Sequence, residues 1–319
     1  MALDLSEFRP LTLENYTEFY EGLSPMSCGR LIRYYQSPLR LMHQPHVFKL
    51  GYIDDELVVL KDRQIMGTQV LYAILPSSDD MVNKLNDAGI PSLVNESGMK
   101  SFNKCWSQEC VFDNEEYIYN LSAFSDRYGV NKNQLRRPCN KAESLNDSDA
   151  IDIQVHWGNV PYRTLESCNA LTGRWLGQRD KKAWKPNFFI DSFNAYSQLE
   201  DALLLTIMEG DKCIGYHLSH RVDNGLIYDT ACKDYDNKLI SNMTPVLLHY
   251  ASKAWEKKIG HTNVYVNRGA AVRGAASKIA KQKLRPSIVN KIYKTIPPMK
   301  MTKELKASYF EKRNYTEWL

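Results

Sequence analysis

The feature that most constrains this chain lies between Leu203 and Cys232, where three strand-like runs are separated by two tight-turn signals. Leu203–Met208 is the first run, Glu209-Gly210-Asp211-Lys212 a hairpin turn, and Cys213–Arg221 the second run. Asp223-Asn224-Gly225 is a second turn, and Leu226–Cys232 the third run. Three antiparallel strands joined this way need no crossover, so the local topology follows from the spacing alone. Downstream, Asn242-Met243-Thr244-Pro245 predicts a helix start with Thr244 as N-cap and Pro245 at the first helical position, where a missing N–H costs nothing. Leu247, Leu248, Ala251, Ala254 and Trp255 give that helix a buried stripe to about Ile259, and Gly260 ends it. A strand at Val264–Asn267, a helix over Val272–Gln282 and a terminal segment follow.

The first half carries a similar order of elements. Val47–Ile53, Leu57–Lys61 and Val70–Leu75 read as strands, with a turn at Asp54-Asp55-Glu56, and Asp79–Ala88 reads as a short helix. Ile118, Leu121 and Phe124 recur at helical spacing and predict a helix over Glu116–Tyr128; Leu165–Leu176 predicts another. A polar, acidic stretch from Ala142 to Asp152 divides the patterned regions, which gives two domains at residues 1–145 and 150–319. The length of 319 residues fits two units, and 43% hydrophobic with 24% charged residues fits a globular interior. No run approaches the roughly 18 apolar residues of a membrane helix, and the start MALDLSEFRP lacks a signal-peptide pattern; both point to a cytoplasmic protein. Cysteines at 28, 105, 110, 139, 168, 213 and 232 form no C-x-x-C pair, which predicts reduced, buried thiols and no metal site.

Charge is unevenly spread. Residues 251–319 hold 16 Lys or Arg against 4 Asp or Glu, whereas the rest of the chain holds 25 against 33. A basic region of this kind suits a polyanionic partner, such as a nucleotide-type donor or tRNA, and reads equally as a solvated face. Trp175, Trp184, Phe188 and Phe189 interleave with Arg174, Arg179, Lys181 and Lys182, a pattern suited to stacking on nucleic acid or to ordinary core and rim.

Three segments carry a resemblance to a known family. Glu116-Tyr117-Ile118-Tyr119-Asn120-Leu121 precedes the basic Asn133-Gln134-Leu135-Arg136-Arg137. Lys233-Asp234-Tyr235-Asp236 precedes the helix start at Thr244-Pro245, and Val266-Asn267-Arg268 leads through Ala280-Lys281 to Pro286. In order and spacing these resemble the GNAT acyltransferases, specifically the branch holding the C-terminal domain of phosphatidylglycerol lysyltransferases and the FemABX-type aminoacyl transferases. Ala271 and Arg273 stand where that branch carries an acidic residue and a glycine, and Pro138 where it carries asparagine. The resemblance implies an α/β (α+β) fold of two fused GNAT-like units, each a mostly antiparallel twisted sheet flanked by helices. The second unit is then the transferase and the first a degenerate copy.

The implied chemistry is direct attack of an acceptor amine or hydroxyl on the carbonyl of an acyl-CoA or an aminoacyl-tRNA, with no metal. The protein must position the reactants, take a proton and offer donors to the developing oxyanion. Candidates for the phosphate-bearing donor are Lys233, Asn242 and Thr244 around the helix start, then Asn267, Arg268, Arg273, Lys278 and Lys281. Lys278 and Lys281, three apart, share one helical face. For proton transfer the candidates are His217, on the middle meander strand with Ser219 and opposite Ile214, Tyr216 and Leu218, then Asp229 on the third strand and Tyr235 beside Lys233. His217 also has a structural reading as a packed or surface histidine, and Asp229 as a paired carboxylate. The competing function is a catalytically idle GNAT-like module that binds nucleic acid through its basic C-terminal region, a reading that Ala271 favours. A metal hydrolase has no support, because no H-x-x-x-H motif occurs and His217 and His220, three apart on a strand, face opposite ways.

Overall fold

The computed structural model describes residues 3–12, 14–23, 41, 47–65, 68–74, 78–95, 110–125, 132–177, 189–190, 193–194, 202–223, 226–240, 242–260, 264–270 and 275–295. The chain forms two compact units, one of residues 1–116, 269–277 and 289–319, the other of residues 117–268 and 278–288.

In the first unit, β1 (Phe48–Ile53), β2 (Glu56–Ile65) and β3 (Thr68–Ile74) make an antiparallel meander. Asp54 and Asp55 close the first hairpin with φ of 48° and 61°, a left-handed pair that aspartate tolerates. Helix α2 (Asp79–Asp87) then leads to β4 (Ser92–Asn95), which runs parallel to β3, with Ala73 opposite Ser92 and Ile74 opposite Leu93. The C-terminal strand β11 (Ile288–Thr295) pairs antiparallel with β4, giving the order β1-β2-β3-β4-β11-β5, where β5 is Cys110–Asn120. Alternate residues of β2 feed two separate layers. Leu57 and Val59 join Phe48, Ile74, Leu93, Ile292 and Phe19 of α1 (Tyr16–Leu23). Val58 and Leu60 join Met81 and Leu85 of α2. Gly51 lets the Phe8 ring lie against the backbone of β1, since a Cβ there would come within 2.7 Å of it.

The second unit repeats the plan. It begins with α3 (Ser122–Ser125) and α4 (Lys132–Asp147), then β6 (Asp152–Trp157) and α5 (Tyr162–Gly177). The meander β7 (Ala202–Glu209), β8 (Lys212–Asp223) and β9 (Leu226–Lys233) matches the three runs expected from sequence. Helix α6 (Met243–Ile259) is followed by β10 (Tyr265–Ala270), parallel to β9, and by α7 (Ala275–Lys283). The order is β10-β9-β8-β7-β6. Each unit is thus a three-strand meander, a helix, and a strand that lies parallel to the last strand of the meander. The meander core is apolar on both faces because helices cover both: Thr172 of α5 meets Tyr216 on one side, and Trp255 of α6 meets Ser219 on the other.

Two expectations need correction. Residues 116–120 are strand, Ser122–Ser125 is helical, and 126–128 lie outside the described residues; Glu116, Tyr117, Ile118 and Tyr119 are all buried, so a strand covered on both faces mimicked a helical repeat. Thr244 lies inside the first turn of α6, and Asn242 occupies the cap position. Of the helix expected over Val272–Gln282, the part from Ala275 on is helical, to Lys283, and 271–274 lie outside the described residues. The polar stretch from Ala142 to Asp152 forms the C-terminal end of α4 and the approach to β6.

Candidate functional site

The second unit concentrates its features where β9 ends and α6 begins. Its parallel register pairs Tyr265 with Leu226, Val266 with Ile227 and Asn267 with Tyr228. Strand β9 continues to Lys233 and β10 to Ala270, and the described register does not extend to those residues. Two parallel strands that stop pairing part-way leave a row of backbone groups facing the gap.

The floor of this region is a bulge in β8. Ile207 pairs with Gly215 while Met208 pairs with Cys213, so Ile214 is extra. The carbonyl of Ile214 accepts the N–H of Asp234 at 2.9 Å. The Asp234 carboxylate is buried and receives the Lys212 ammonium at 3.1 Å, with the Arg174 guanidinium at 3.7 Å. Its other oxygen accepts the backbone N–H of Asp236 at 3.0 Å. Burial pushes this carboxyl up, but the Lys212 and Asp236 hydrogen bonds and the two positive charges together hold it below the usual carboxylate value. Beside it, the Lys233 ammonium sits 4.9 Å over the exposed Tyr235 ring.

The start of α6 rests on the same bulge. Met243 packs against Gly215 so closely that a Cβ on Gly215 would fall 2.1 Å from the Met243 sulfur. Asn242, with φ −138° and ψ 83°, makes no side-chain cap hydrogen bond, and the first turn carries no acidic residue. The corresponding helix of the first unit is closed in both respects. Ser78 caps α2 by accepting the Met81 N–H at 3.0 Å, and Asp79 and Asp80 occupy its first turn. An uncapped, acid-free helix start presents unsatisfied N–H groups and a positive dipole end, whereas a capped, acidic one offers neither.

The other candidates take distinct positions. Lys281 is half-buried; its ammonium donates to the Arg268 carbonyl at 2.6 Å and lies 5.8 Å over the Tyr117 ring, so it braces β10. Lys278, on the same helix, is exposed. Asn267 is fully buried in β10, next to a half-buried Arg268, and Arg273 lies outside the described residues. His217 is buried on the α6 side of β8, aligned with Leu205 and Ala231. Asp229 aligns with Ser219 and is the first β9 residue past the parallel register. Ser219 Oγ accepts the Trp255 indole N–H at 2.8 Å. Of the aromatic and basic residues around 174–189, Arg174 belongs to the Asp234 cluster and the Phe189 ring packs at a tilt of 54° against Tyr216, centroids 4.6 Å apart, while 178–188 lie outside the described residues. Sequence reasoning missed Asp234 itself. The signal was a carboxylate flanked by two chosen residues and directly following a strand.

Among the described residues, no group of three or more His, Cys, Asp or Glu side chains is placed to hold a metal ion, and no helix is long and apolar enough to cross a membrane. No family model and no curated protein matches the sequence. Solved structures do. L-PGS from Bacillus licheniformis superposes with a TM-score of 0.61 at 13% identity, covering 93% of this chain and 95% of that one. The C-terminal domain of a putative lysylphosphatidylglycerol synthetase from Agrobacterium fabrum gives 0.59 at 11%, covering 89% and 93%. A tandem GNAT protein from the clavulanic acid biosynthesis pathway gives 0.50 at 9%, covering 92% and 99%. This chain has a tandem GNAT fold. The GNAT repeat explains why the same meander, helix and parallel strand occur twice, and it makes the contrast between the starts of α2 and α6 a comparison of like with like.

The interior of the second GNAT unit also sets a pH limit on the protein. Burial lowers the His220 imidazole from 6.5 to about 3. Below about pH 6.5 the unfolded chain takes up a proton at this residue and the folded chain does not, so stability falls with pH across that window, by up to about 1.4 kcal/mol per unit. Asp234 acts lower still. Its folded value is depressed, so its contribution persists above about pH 3.9 and is lost as pH falls through the folded value. Urea unfolding at pH 7.5, 5.5 and 4.5 should show the decline, and His220→Leu should flatten its slope; an unchanged slope would remove His220 as the cause.

Proposed function

We propose that this protein is a GNAT-type acyltransferase whose second unit binds a phosphate-bearing donor, acyl-CoA or aminoacyl-tRNA, and passes its acyl group to an amine or hydroxyl. The observation that carries the reading is the asymmetry between the two helix starts: Asn242 leaves α6 without a side-chain cap or first-turn acid, while Ser78, Asp79 and Asp80 close α2. On this reading the phosphates lie at Asn242 and Thr244, and the acyl group reaches toward the gap between β9 and β10, where strand N–H groups face the developing oxyanion. Lys233, Asn267, Arg268 and Lys278 supply further contacts on the donor side, and Lys281 holds Arg268 in place. Among the proton-acceptor candidates, Tyr235 is exposed beside Lys233, His217 is buried on β8, and Asp229 is the first β9 residue past the parallel register. The acceptor nitrogen or oxygen bonds to the carbonyl carbon, the bond to sulfur or to the tRNA ribose oxygen breaks, and the leaving group recovers the proton.

The likeness to L-PGS and to a putative lysylphosphatidylglycerol synthetase favours an aminoacyl donor, and the wider GNAT fold favours acyl-CoA. Thermal unfolding with CoA, acetyl-CoA and charged tRNA, each at about 100 times its dissociation constant, should separate them through a stabilisation of about 2.7 kcal/mol by the true donor. A shift with charged tRNA that vanishes on deacylation identifies the aminoacyl route. A second reading, a catalytically idle module binding nucleic acid, draws on the exposed Lys278, Lys283 and Arg285 of the α7 region. It predicts equal shifts with uncharged RNA, steeply weakened by salt.

A further inference from the structure

The connection from β9 to α6 is fixed at both ends on one short stretch of β8. At its start, Asp234 donates its N–H to the Ile214 carbonyl and buries its carboxylate between Lys212 and Arg174. At its end, Met243 sits on the bare backbone of Gly215. Between them the loop is held by Asp236 N–H on Asp234, Asn237 Nδ2 on Glu209 at 3.0 Å, and Leu239 N–H on the Asn237 side chain at 3.0 Å, with Ile240 buried. Arg174 adds a hydrogen bond of 3.3 Å to the Cys213 carbonyl, and the Cys213 N–H donates to Ser167 at 2.7 Å, so α5 clamps the bulge from below.

The geometry points to Asp234 as a positioning residue for the donor: its ion pairs hold the 234–242 connection at the height that places the open start of α6, and Lys233 with Tyr235, around the donor phosphates. This rests on the donor site proposed above. The Asp234 side chain is 3% exposed while both cationic partners are half-exposed, so charge fixes the start of this loop, and burial of Ile240 fixes its far end. Its partners come from β8 and α5, neither of which touches the proposed donor, so Asp234 acts through the loop and not on the ligand.

The test is titration of CoA, and of charged tRNA, into the full chain by calorimetry, alongside thermal unfolding. Asp234→Asn keeps an acceptor for the Asp236 N–H and removes the charge, and should raise the donor dissociation constant about tenfold or more. Asp234→Glu, which keeps the charge on a longer arm, should recover part of the affinity, and Lys212→Met should give an intermediate loss. The melting temperature alone would move if the cluster were merely structural, with donor affinity unchanged across all three variants; that result overturns the positioning role. Should Asp234→Asn fail to fold, Lys212→Met carries the decision, since Lys212 is half-exposed. If the unaltered protein binds neither donor, the donor reading falls and takes this role with it, an outcome distinct from normal binding that the variants leave untouched.

Discussion

Replacing Trp255 with alanine is expected to cost the second unit about 3–5 kcal/mol, the range for emptying a buried large side chain. Trp255 is 1% exposed, packs edge-on against Trp157 at 4.8 Å, and donates its indole N–H to Ser219 at 2.8 Å. The substitution leaves a cavity under α6 and strands the Ser219 hydroxyl in the core of β8. Trp255→Phe separates the two effects, since it keeps most of the volume and loses the hydrogen bond, at about 1 kcal/mol. Denaturant unfolding of the pair checks this. A loss for the alanine variant no larger than for the phenylalanine one would mean that the helix collapses onto the sheet and the cavity does not persist.

Gly215→Val is the second large effect, and it reads function together with stability. The Cβ would lie 2.1 Å from the Met243 sulfur and 3.6 Å from Leu247, in a region with no free volume. Overpacking of this kind costs about 1–3 kcal/mol and is relieved by moving the first turn of α6 outward. Because that turn is the proposed donor contact, the variant should lose donor-induced stabilisation more completely than its own melting point suggests. Met243→Ala in the same chain vacates the contested space and should recover both stability and binding. If it restores stability and not binding, Met243 matters to the donor in its own right.

The meander, α6 and the β10 strand were legible because their signals are local: paired turn residues, a Thr-Pro pair within the first turn and a glycine stop, the last confirmed by Gly260 at φ 77°. What misled was burial on both sides. Strand β5 lost its alternation because Tyr117 and Tyr119 face one covered layer and Glu116 and Ile118 another, which left only the accidental spacing of Ile118, Leu121 and Phe124. Helix α4 was hidden by its composition, since it carries Pro138 internally and exposes Arg136, Arg137, Asn140, Lys141 and Glu143. In the site, residue types drew attention to Lys233 and Tyr235, but only coordinates place Asp234 against Lys212 and Arg174, from 22 to 60 residues upstream in chain order. Lys281 shows the reverse. Its basic character suggested a ligand contact, and its ammonium is committed to the Arg268 carbonyl.

The first unit is not a contiguous stretch of chain, and that bears on how the protein is made. Its strand β4 is completed by β11, joined through the Ser92 N–H to Thr295, 203 residues further on. The sheet stays open on its β4 side until residues 288–295 are available to pair. The second unit, whose meander closes within residues 202–233, has most of its own partners in hand earlier. Until β11 docks, β4 carries an unpaired strand edge, the kind of edge that invites pairing with another chain.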